Sequence, residues 1–382
     1  MSEALSMLYI VPHDPFGHSS LFGASVSTGE LAVEMVRRGH SVSVVHSYVN
    51  RPREYTHMGV EVHGIPNGQY PYIAGLIANL GVSKFIDGLR TRADIDILDS
   101  RGGGLGWAFW RSATAADARV LHLVDVSLKE WVNLPLETRL KMAPTYFMLA
   151  YNDRLCLQAA DWIVAETAAV GRDLTQTRAG AHPRWSVVPP LIPRSWGPIG
   201  AGRYDPLEFL FIGAGSRRDT LIFLQALQEL TRRGFDVKAN ILREGRYQFR
   251  ELATKMGLHV RFWTYLETEQ MRELLARSCA FVLPSYREAY CRTVVEAAFH
   301  GTPSIVSNLS SVREFVDPGR TGLVVPTWNP LDWAQALQLL IADPGLHDRL
   351  GEAARAKAIQ NCSADRVGSL TEIGYRDVLT RR

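Results

Sequence analysis

Two glutamates in the C-terminal half of the chain have a spacing that suits ligand binding. Glu288 follows a short apolar run that predicts a buried strand, and Glu296 comes eight residues later, in the early turns of a predicted helix. Backbone N–H groups at a helix start have no partner within the helix and carry about half a positive charge. This makes an anion site, and a diphosphate bound there would lie between the two carboxylates. The two carboxylates repel phosphate, so we expect them to accept hydrogen bonds from uncharged hydroxyls on either side of it.

Two arginines stand at the start of another predicted helix in the same half. Arg217 and Arg218 follow a strand that ends at Gly213, and the pattern predicts a helix over residues 218–232. Cations at a helix N-terminus oppose the helix dipole, so their position needs another explanation. Binding of the same diphosphate provides one, because a guanidinium can hold phosphate through two hydrogen bonds. A solvated basic pair is the alternative.

The turn around Gly213 also contains the beginning of a dinucleotide-binding fingerprint. Gly213, Ala214 and Gly215 follow a strand, but Arg218 takes the place of the third glycine. The acidic residue expected at the end of the next strand is missing as well, since Glu244 comes too late. This turn is therefore weak support for a dehydrogenase.

The elements that must position these residues follow an alternating pattern. Short apolar runs alternate with amphipathic stretches over nearly the whole chain, which predicts βαβ units and parallel sheets. The pattern breaks at residues 193–206, a segment rich in proline and glycine. We therefore predict an α/β fold with two doubly wound, Rossmann-like domains, residues 1–192 and 207–362, joined by that linker. A ligand is expected in the cleft between them, outside the carboxyl ends of the strands.

Composition excludes several classes of protein. The chain has 382 residues, a formal net charge of +3 and scattered basic residues, which argues against a nucleic-acid binder. Its four cysteines lie far apart without metal-ligand spacing, so we expect reduced thiols. The N-terminus lacks a basic signal-peptide region, and no apolar stretch is long enough to span a bilayer. A cytoplasmic protein without a transmembrane segment is expected.

Residues 281–307, FVLPSYREAYCRTVVEAAFHGTPSIVS, resemble the E-x7-E signature of a known family. The family is that of the retaining GT-B glycosyltransferases called group 1 or family 4. The dipeptide PS precedes the first glutamate, EAxxxGTP begins at the second, and the string GRTGLV follows at residues 319–324. The resemblance covers residues 207–341 almost end to end and is looser in the N-terminal half.

The resemblance implies roles for particular residues of the C-terminal half. Glu288 would bind hydroxyls of the donor sugar, and Glu296 would bind the ribose. Arg218 stands where the family has a phosphate-binding lysine, and Arg217 would substitute for an arginine that is Ala214 here. The remaining donor-binding positions are Gly213, the turn at Glu244, and the backbone of Tyr290, Cys291 and Arg292.

The N-terminal half would contribute fewer residues to the site. Gly23 stands where the resemblance implies a glycine whose backbone approaches the diphosphate, and plain turn chemistry is the alternative. Asp125 follows a predicted strand at the cleft, but Val124 replaces the histidine that the family has before it. His122 lies two residues earlier on the same strand face and would substitute for it. A buried structural histidine is the alternative for His122. The C-terminal residues 363–382 would pack back on this domain.

The departures from the family's pattern lie close to the donor. Tyr290 and Cys291 replace Phe-Gly, and Arg243 replaces a glycine beside Glu244. The identity of the sugar and of the base is therefore left open.

The function predicted from the resemblance is transfer of a sugar from a UDP-, GDP- or TDP-sugar to an acceptor hydroxyl, with retention at the anomeric carbon. The catalytic residues would be Glu288, Asp125, His122 and Arg218. No metal or other cofactor is expected. The acceptor would be a natural product or a cell-envelope compound, and the enzyme would be a monomer or homodimer. The alternatives are a nucleotide-sugar epimerase, a phosphorylase, or a catalytically silent nucleotide-sugar-binding subunit.

Overall fold

The computed structural model divides the chain into two compact units. The first unit comprises Met1–Pro193 together with Ala364–Arg382, and the second comprises Arg194–Ser363. Among the described residues, no helix is both long and apolar enough to cross a membrane. The structure describes residues 3–17, 23–49, 51–66, 74–90, 94–101, 105–112, 115–123, 151, 154–175, 184–197, 204–213, 218–243, 247–288, 290–326 and 328–381.

The first unit is built on an eight-stranded sheet. Its strands are β1 (Ser6–Val11), β2 (Ser41–Val49), β3 (Arg53–His57), β4 (Val60–Pro66), β5 (Ile97–Ser100), β6 (Ala118–Leu123), β7 (Trp162–Ala165) and β8 (Trp185–Val187). Their order is β3-β4-β2-β1-β5-β6-β7-β8, and only the β3/β4 pair is antiparallel. The central strands are apolar along their length because a parallel sheet is covered on both faces.

The helices of the first unit are α1 (Gly23–Arg37), α2 (Ala74–Arg90), α3 (Gly106–Arg111) and α4 (Ala168–Thr175). Residues 154–159 add a further helical segment. The sequence predicts that Gly39 terminates α1 in a left-handed conformation. This prediction is confirmed, since Gly39 has φ of +94° and its N–H donates to the Val36 carbonyl at 2.9 Å.

The edge strand β3 is not expected from the sequence. Residues 53–57 are mostly exposed and polar, so they lack the apolar run that predicts a buried strand. Met58 and Gly59 both have positive φ, 47° and 84°, as a two-residue hairpin turn requires. The turn therefore specifies the antiparallel pairing of β3 with β4.

The second unit contains a six-stranded, entirely parallel sheet. Its strands are β9 (Asp205–Ile212), β10 (Lys238–Leu242), β11 (His259–Trp263), β12 (Ser278–Leu283), β13 (Ser304–Ser307) and β14 (Gly322–Val325), in the order β11-β10-β9-β12-β13-β14. Its helices are α5 (Thr220–Arg232), α6 (Tyr247–Lys255), α7 (Thr268–Arg277), α8 (Arg292–Phe299), α9 (Pro330–Ala342) and α10 (Pro344–Cys362). A short 3₁₀ helix spans Val312–Glu314.

Alternate side chains of the central strand β9 supply the two cores of the second unit. Phe209 and Phe211 pack on one face of the sheet with Trp333 of α9. Leu210 and Ile212 pack on the other face with residues of α7 and α8. Both faces are thus covered, and the carboxyl ends of the strands are where the loops and polar side chains gather.

The predicted start of α5 at residue 218 is wrong by two residues. The helix begins at Thr220, and the Asp219 side chain caps it by accepting a hydrogen bond from the Ile222 N–H at 3.0 Å. Aspartate satisfies an unpaired N–H at this position, so the helix starts after it. Arg218 therefore precedes the helix, and its backbone forms an isolated antiparallel bridge with Ser285.

The last helix, α11 (Ala364–Thr380), belongs to the first unit. The buried Tyr375 hydroxyl donates to Asp99 Oδ2 at 2.6 Å, and its ring meets Trp162 edge-on at 6.0 Å. Arg38, the residue after α1, donates to the Asp365 carbonyl at 3.2 Å. Through these contacts α11 packs against the end of α1 and the end of β5.

Candidate donor-binding site

Glu288 is held by the loop that follows β12. The Ser285 hydroxyl donates to Glu288 Oε1 at 2.8 Å, and the Ser311 hydroxyl donates to the Glu288 backbone carbonyl. The loop itself is fixed because the Ser285 N–H donates to Ser307 Oγ at 2.7 Å. Glu288 is therefore a buried carboxylate with a defined orientation, at the carboxyl end of the sheet.

Arg218 lies directly against Glu288. Its Nε donates to Glu288 Oε1 at 2.7 Å, its Nη1 donates to the Ile212 carbonyl at 3.0 Å, and its Nη2 contacts Cys291 Sγ at 3.7 Å. Burial alone would lower the pKa of Arg218, but the adjacent Glu288 carboxylate raises it above its ordinary value. A guanidinium has five N–H groups, so each terminal nitrogen of Arg218 has a second one beyond these contacts.

Cys291 occupies the N-cap position of α8, and its side chain is buried in the core. It is buried with Val294 and Phe281 and faces the Arg218 guanidinium. Burial raises the pKa of the Cys291 thiol to about 12, although Arg218 opposes that effect. The thiol is therefore protonated at neutral pH, and it contacts the Arg218 guanidinium without adding a charge. The adjacent Tyr290 ring packs edge-on against Phe315 at 5.6 Å.

Glu296 and two further arginines lie at the same end of the sheet. Glu296 forms an ion pair with Arg292, one turn earlier on α8. Arg243 follows β10 with φ of +62°, and its N–H donates to the Trp263 carbonyl at 2.8 Å. Desolvation lowers the pKa of Arg243; Glu296 opposes this, while Arg218 and Arg292 add to it. Three arginines and two glutamates thus interact at the carboxyl end of the sheet.

Of the remaining residues predicted to bind the donor, the structure describes Gly213 and Gly23. Gly213 is buried at the end of β9, where its N–H donates to the Leu242 carbonyl at 2.8 Å. Gly23 is the first residue of α1. Arg217, Glu244 and Asp125 lie outside the described residues. The roles predicted for all of these residues stay predictions.

His122 has the surroundings of a buried structural histidine. It is 1% exposed, and its Nε2 lies 2.8 Å from Asp99 Oδ2, the oxygen that also accepts from Tyr375. Burial lowers the pKa of His122, and Arg101 adds to this effect. This geometry favours the structural alternative for His122, whose substitution for the family's donor-binding histidine stays a prediction. Arg101 is itself paired with the buried Glu166 at 3.1 Å.

Several residues that shape the site were not assigned roles from the sequence. Ser285 and Ser311 orient Glu288, and Asp219 fixes the start of α5 while accepting a hydrogen bond from Tyr286. Asp219 had a usable signal, because an aspartate before an apolar helical pattern is an expected N-cap. The serines had none beyond their place in the motif. No three potential metal ligands cluster within the described part of the chain.

Comparison with known families gives two matches. Residues 203–357 match the family model of glycosyl transferases group 1, and residues 22–190 match that of the glycosyl transferase 4-like domain. The chain is 30% identical over 131 residues to a D-inositol 3-phosphate glycosyltransferase of Streptomyces bingchenggensis, covering 34% of this chain and 29% of that protein. The first curated relatives are matched over only 24% to 30% of their length. A protein of the same name from Pseudarthrobacter chlorophenolicus is 24% identical over 408 residues, 99% of this chain and 96% of that one.

Solved structures resemble the chain over its whole length. The sucrose-phosphate synthase of Thermosynechococcus elongatus superposes with a TM-score of 0.80 at 18% identity, covering 99% of this chain and 100% of that one. Anabaena HepE, solved in complex with UDP and glucose, gives 0.71 at 16% identity, covering 97% and 99%. At these identities the likeness concerns the fold, and the predicted GT-B fold is confirmed. The two family models match in sequence order and together cover most of the chain. The chain therefore belongs to the group 1 glycosyltransferases.

Proposed function

We propose that this protein transfers a sugar from a nucleotide diphosphate sugar to an acceptor hydroxyl, with retention of the anomeric configuration, and that the second unit binds the donor. The observation that carries the proposal is the fixed guanidinium of Arg218. It is held between the Ile212 carbonyl and Glu288, where β9 and β12 end, beside the start of α8. A buried cation with further N–H groups next to a helix N-terminus suits a diphosphate.

The two glutamates would bind the remaining parts of the donor, one the sugar and the other the ribose. Glu288 is oriented by Ser285 and Arg218 and would accept hydrogen bonds from sugar hydroxyls. Glu296 lies within α8 and would accept from the ribose hydroxyls while keeping its ion pair with Arg292. Charged hydrogen bonds of this kind contribute about 1.5–3 kcal/mol each.

The proposed reaction needs neither a metal ion nor another cofactor. The bond between the anomeric carbon and the diphosphate oxygen breaks through an oxocarbenium-like state. The acceptor oxygen bonds to that carbon on the same face, and its proton passes to the departing diphosphate. Arg218 and the start of α8 would stabilise the negative charge that develops on the diphosphate. Asp125 and His122 would support the reaction without acting as its essential base.

The first donor to test is a UDP-sugar. Anabaena HepE, whose fold this chain shares, was solved with UDP and glucose. The first acceptor to test is D-inositol 3-phosphate, from the name of the relatives in Streptomyces and Pseudarthrobacter. GDP- and TDP-sugars and other hydroxyl compounds complete the panel.

The test incubates the purified protein with each α-linked nucleotide sugar, with and without each acceptor. Nucleoside diphosphate should be released only when an acceptor is present, and the proton NMR spectrum of the product should show an α-linkage. A β-linked product would rule out retention. Conversion of the donor without an acceptor would favour the epimerase, and nucleotide binding without turnover across the panel would favour the silent subunit.

A further inference from the structure

Arg243 has a backbone conformation that an arginine rarely adopts. Its φ is +62°, in the left-handed region that favours glycine, asparagine and aspartate. The other non-glycine residue with positive φ in the described ranges is Met58, in the β3–β4 hairpin turn, where the turn itself requires that conformation. Arg243 instead ends a strand of the parallel sheet. A bulky residue kept in a strained conformation beside a binding site is a reason to look for a function.

The position of Arg243 brings its backbone close to Arg218. Leu242 pairs in register with Ile212 on one side and with Trp263 on the other. The Ile212 carbonyl is the group that accepts from Arg218 Nη1 at 3.0 Å. Since neighbouring strands lie about 4.8 Å apart, Arg243 emerges about one strand spacing from the backbone that anchors Arg218.

The charges around Arg243 point to an anionic ligand. Arg243 interacts electrostatically with Arg218 and Arg292, which repel it, and with Glu296, which attracts it. Within the described residues, Arg218 forms an ion pair with Glu288, and Arg292 forms one with Glu296. An anion bound among the three guanidinium groups would offset their repulsion, which a neutral base or ribose would not do.

We propose that Arg243 is a second diphosphate-binding residue, which acts together with Arg218 on the phosphates of the donor. This inference rests on the proposed function, because it assumes a nucleoside diphosphate as ligand. A guanidinium suits this role, since its planar array of N–H groups matches two phosphate oxygens. The strained backbone places this guanidinium group at the end of β10. A glycine would adopt the same backbone conformation more readily, but it would supply no side chain there.

The test compares the binding of UDP and of uridine to the wild type and to Arg243 variants. Arg243→Asn and Arg243→Gly accept the same φ without the charge, so both should keep the fold. We expect their affinity for UDP to fall about 10- to 100-fold, as for the loss of a charged hydrogen bond, and their affinity for uridine to stay unchanged. Arg243→Lys should recover part of the UDP affinity.

Met58→Gly is the matched control for the change in backbone strain. It should change thermal stability by an amount similar to Arg243→Gly and leave UDP binding unchanged. UDP affinity within twofold of the wild type in Arg243→Asn would overturn the proposal, and so would an equal loss for UDP and uridine. If UDP binding is weakened in Arg218→Ala but not in Arg243→Asn, only this inference fails. If the wild type binds none of UDP, GDP and TDP, the proposed function fails with it.

Discussion

Breaking the Arg218–Glu288 pair should destabilise the second unit strongly. The two side chains are 11% and 5% exposed, and their nearest atoms are 2.7 Å apart. Removing one partner of such a buried pair costs about 3–5 kcal/mol, because the other charge stays buried without compensation. In Arg218→Met the Glu288 carboxylate keeps its hydrogen bond from Ser285, which offsets about 1 kcal/mol. The expected loss is therefore about 2–4 kcal/mol.

A double-mutant cycle isolates the pair from the rest of the site. Glu288→Gln should cost less than Arg218→Met, because the amide oxygen still accepts from Ser285 and Arg218 keeps its bond to the Ile212 carbonyl. The double variant should lose less stability than the sum of the single variants, with a coupling energy of about 1–3 kcal/mol. This coupling is the part of the stability that belongs to the ion pair.

Differential scanning calorimetry measures the effect on each unit. For a unit of this size each kcal/mol shifts the midpoint by about 2–4 °C, so Arg218→Met should lower one transition by about 5–15 °C. Arg232→Met breaks the Arg232–Glu229 pair, in which Arg232 is 74% exposed, and serves as the control, with an expected shift much smaller than that of Arg218→Met. Additive single variants, with coupling below about 0.5 kcal/mol, would refute the reasoning.

Four further predictions concern single groups. Glu296→Ala should weaken binding of free UDP by about 1.5–3 kcal/mol in calorimetry. Glu288→Ala should instead abolish turnover while UDP affinity holds, and equal damage to UDP binding by both variants would contradict the division of roles. Burial and two nearby arginines lower the pKa of His300 to about 4, so the unfolded state takes up a proton that the folded state does not as pH falls from 6.5 to 4. Urea midpoints should fall over that range in the wild type and less in His300→Gln, and parallel losses would exclude His300 as the cause. Because burial raises the pKa of Cys291 to about 12, its alkylation by iodoacetamide at pH 8, followed by mass spectrometry, should be far slower in the native protein than in urea. Equal rates would contradict this.

The sequence predicted the parallel strands well, because each is a short apolar run between turn residues. It did not predict β3, whose charged and polar residues 53–57 lie at the sheet edge and bury little. It also placed the start of α5 two residues early, because the pattern made Arg218 the first residue of the helix. Asp219, a good N-cap, sets the actual start.

The sequence suggested which residues form the candidate site but not how they pair with one another. The spacing of Glu288 and Glu296 was visible in the sequence, whereas the ion pair of Glu288 with Arg218 joins residues 70 positions apart. Such a contact depends on how β9 and β12 lie side by side, which no local pattern encodes. The buried contact of His122 with Asp99 likewise depends on the pairing of β6 with β5 and on a tyrosine from the last helix.

The central claim is that the second unit binds a nucleoside diphosphate at Arg218. Calorimetric titration of the wild type and of Arg218→Ala with UDP, GDP and TDP tests it most directly. We predict that at least one nucleotide binds the wild type with one site per chain and binds Arg218→Ala about tenfold or more weakly, as for the loss of a charged hydrogen bond. Absence of binding by all three nucleotides, or equal affinity in Arg218→Ala, would contradict the claim.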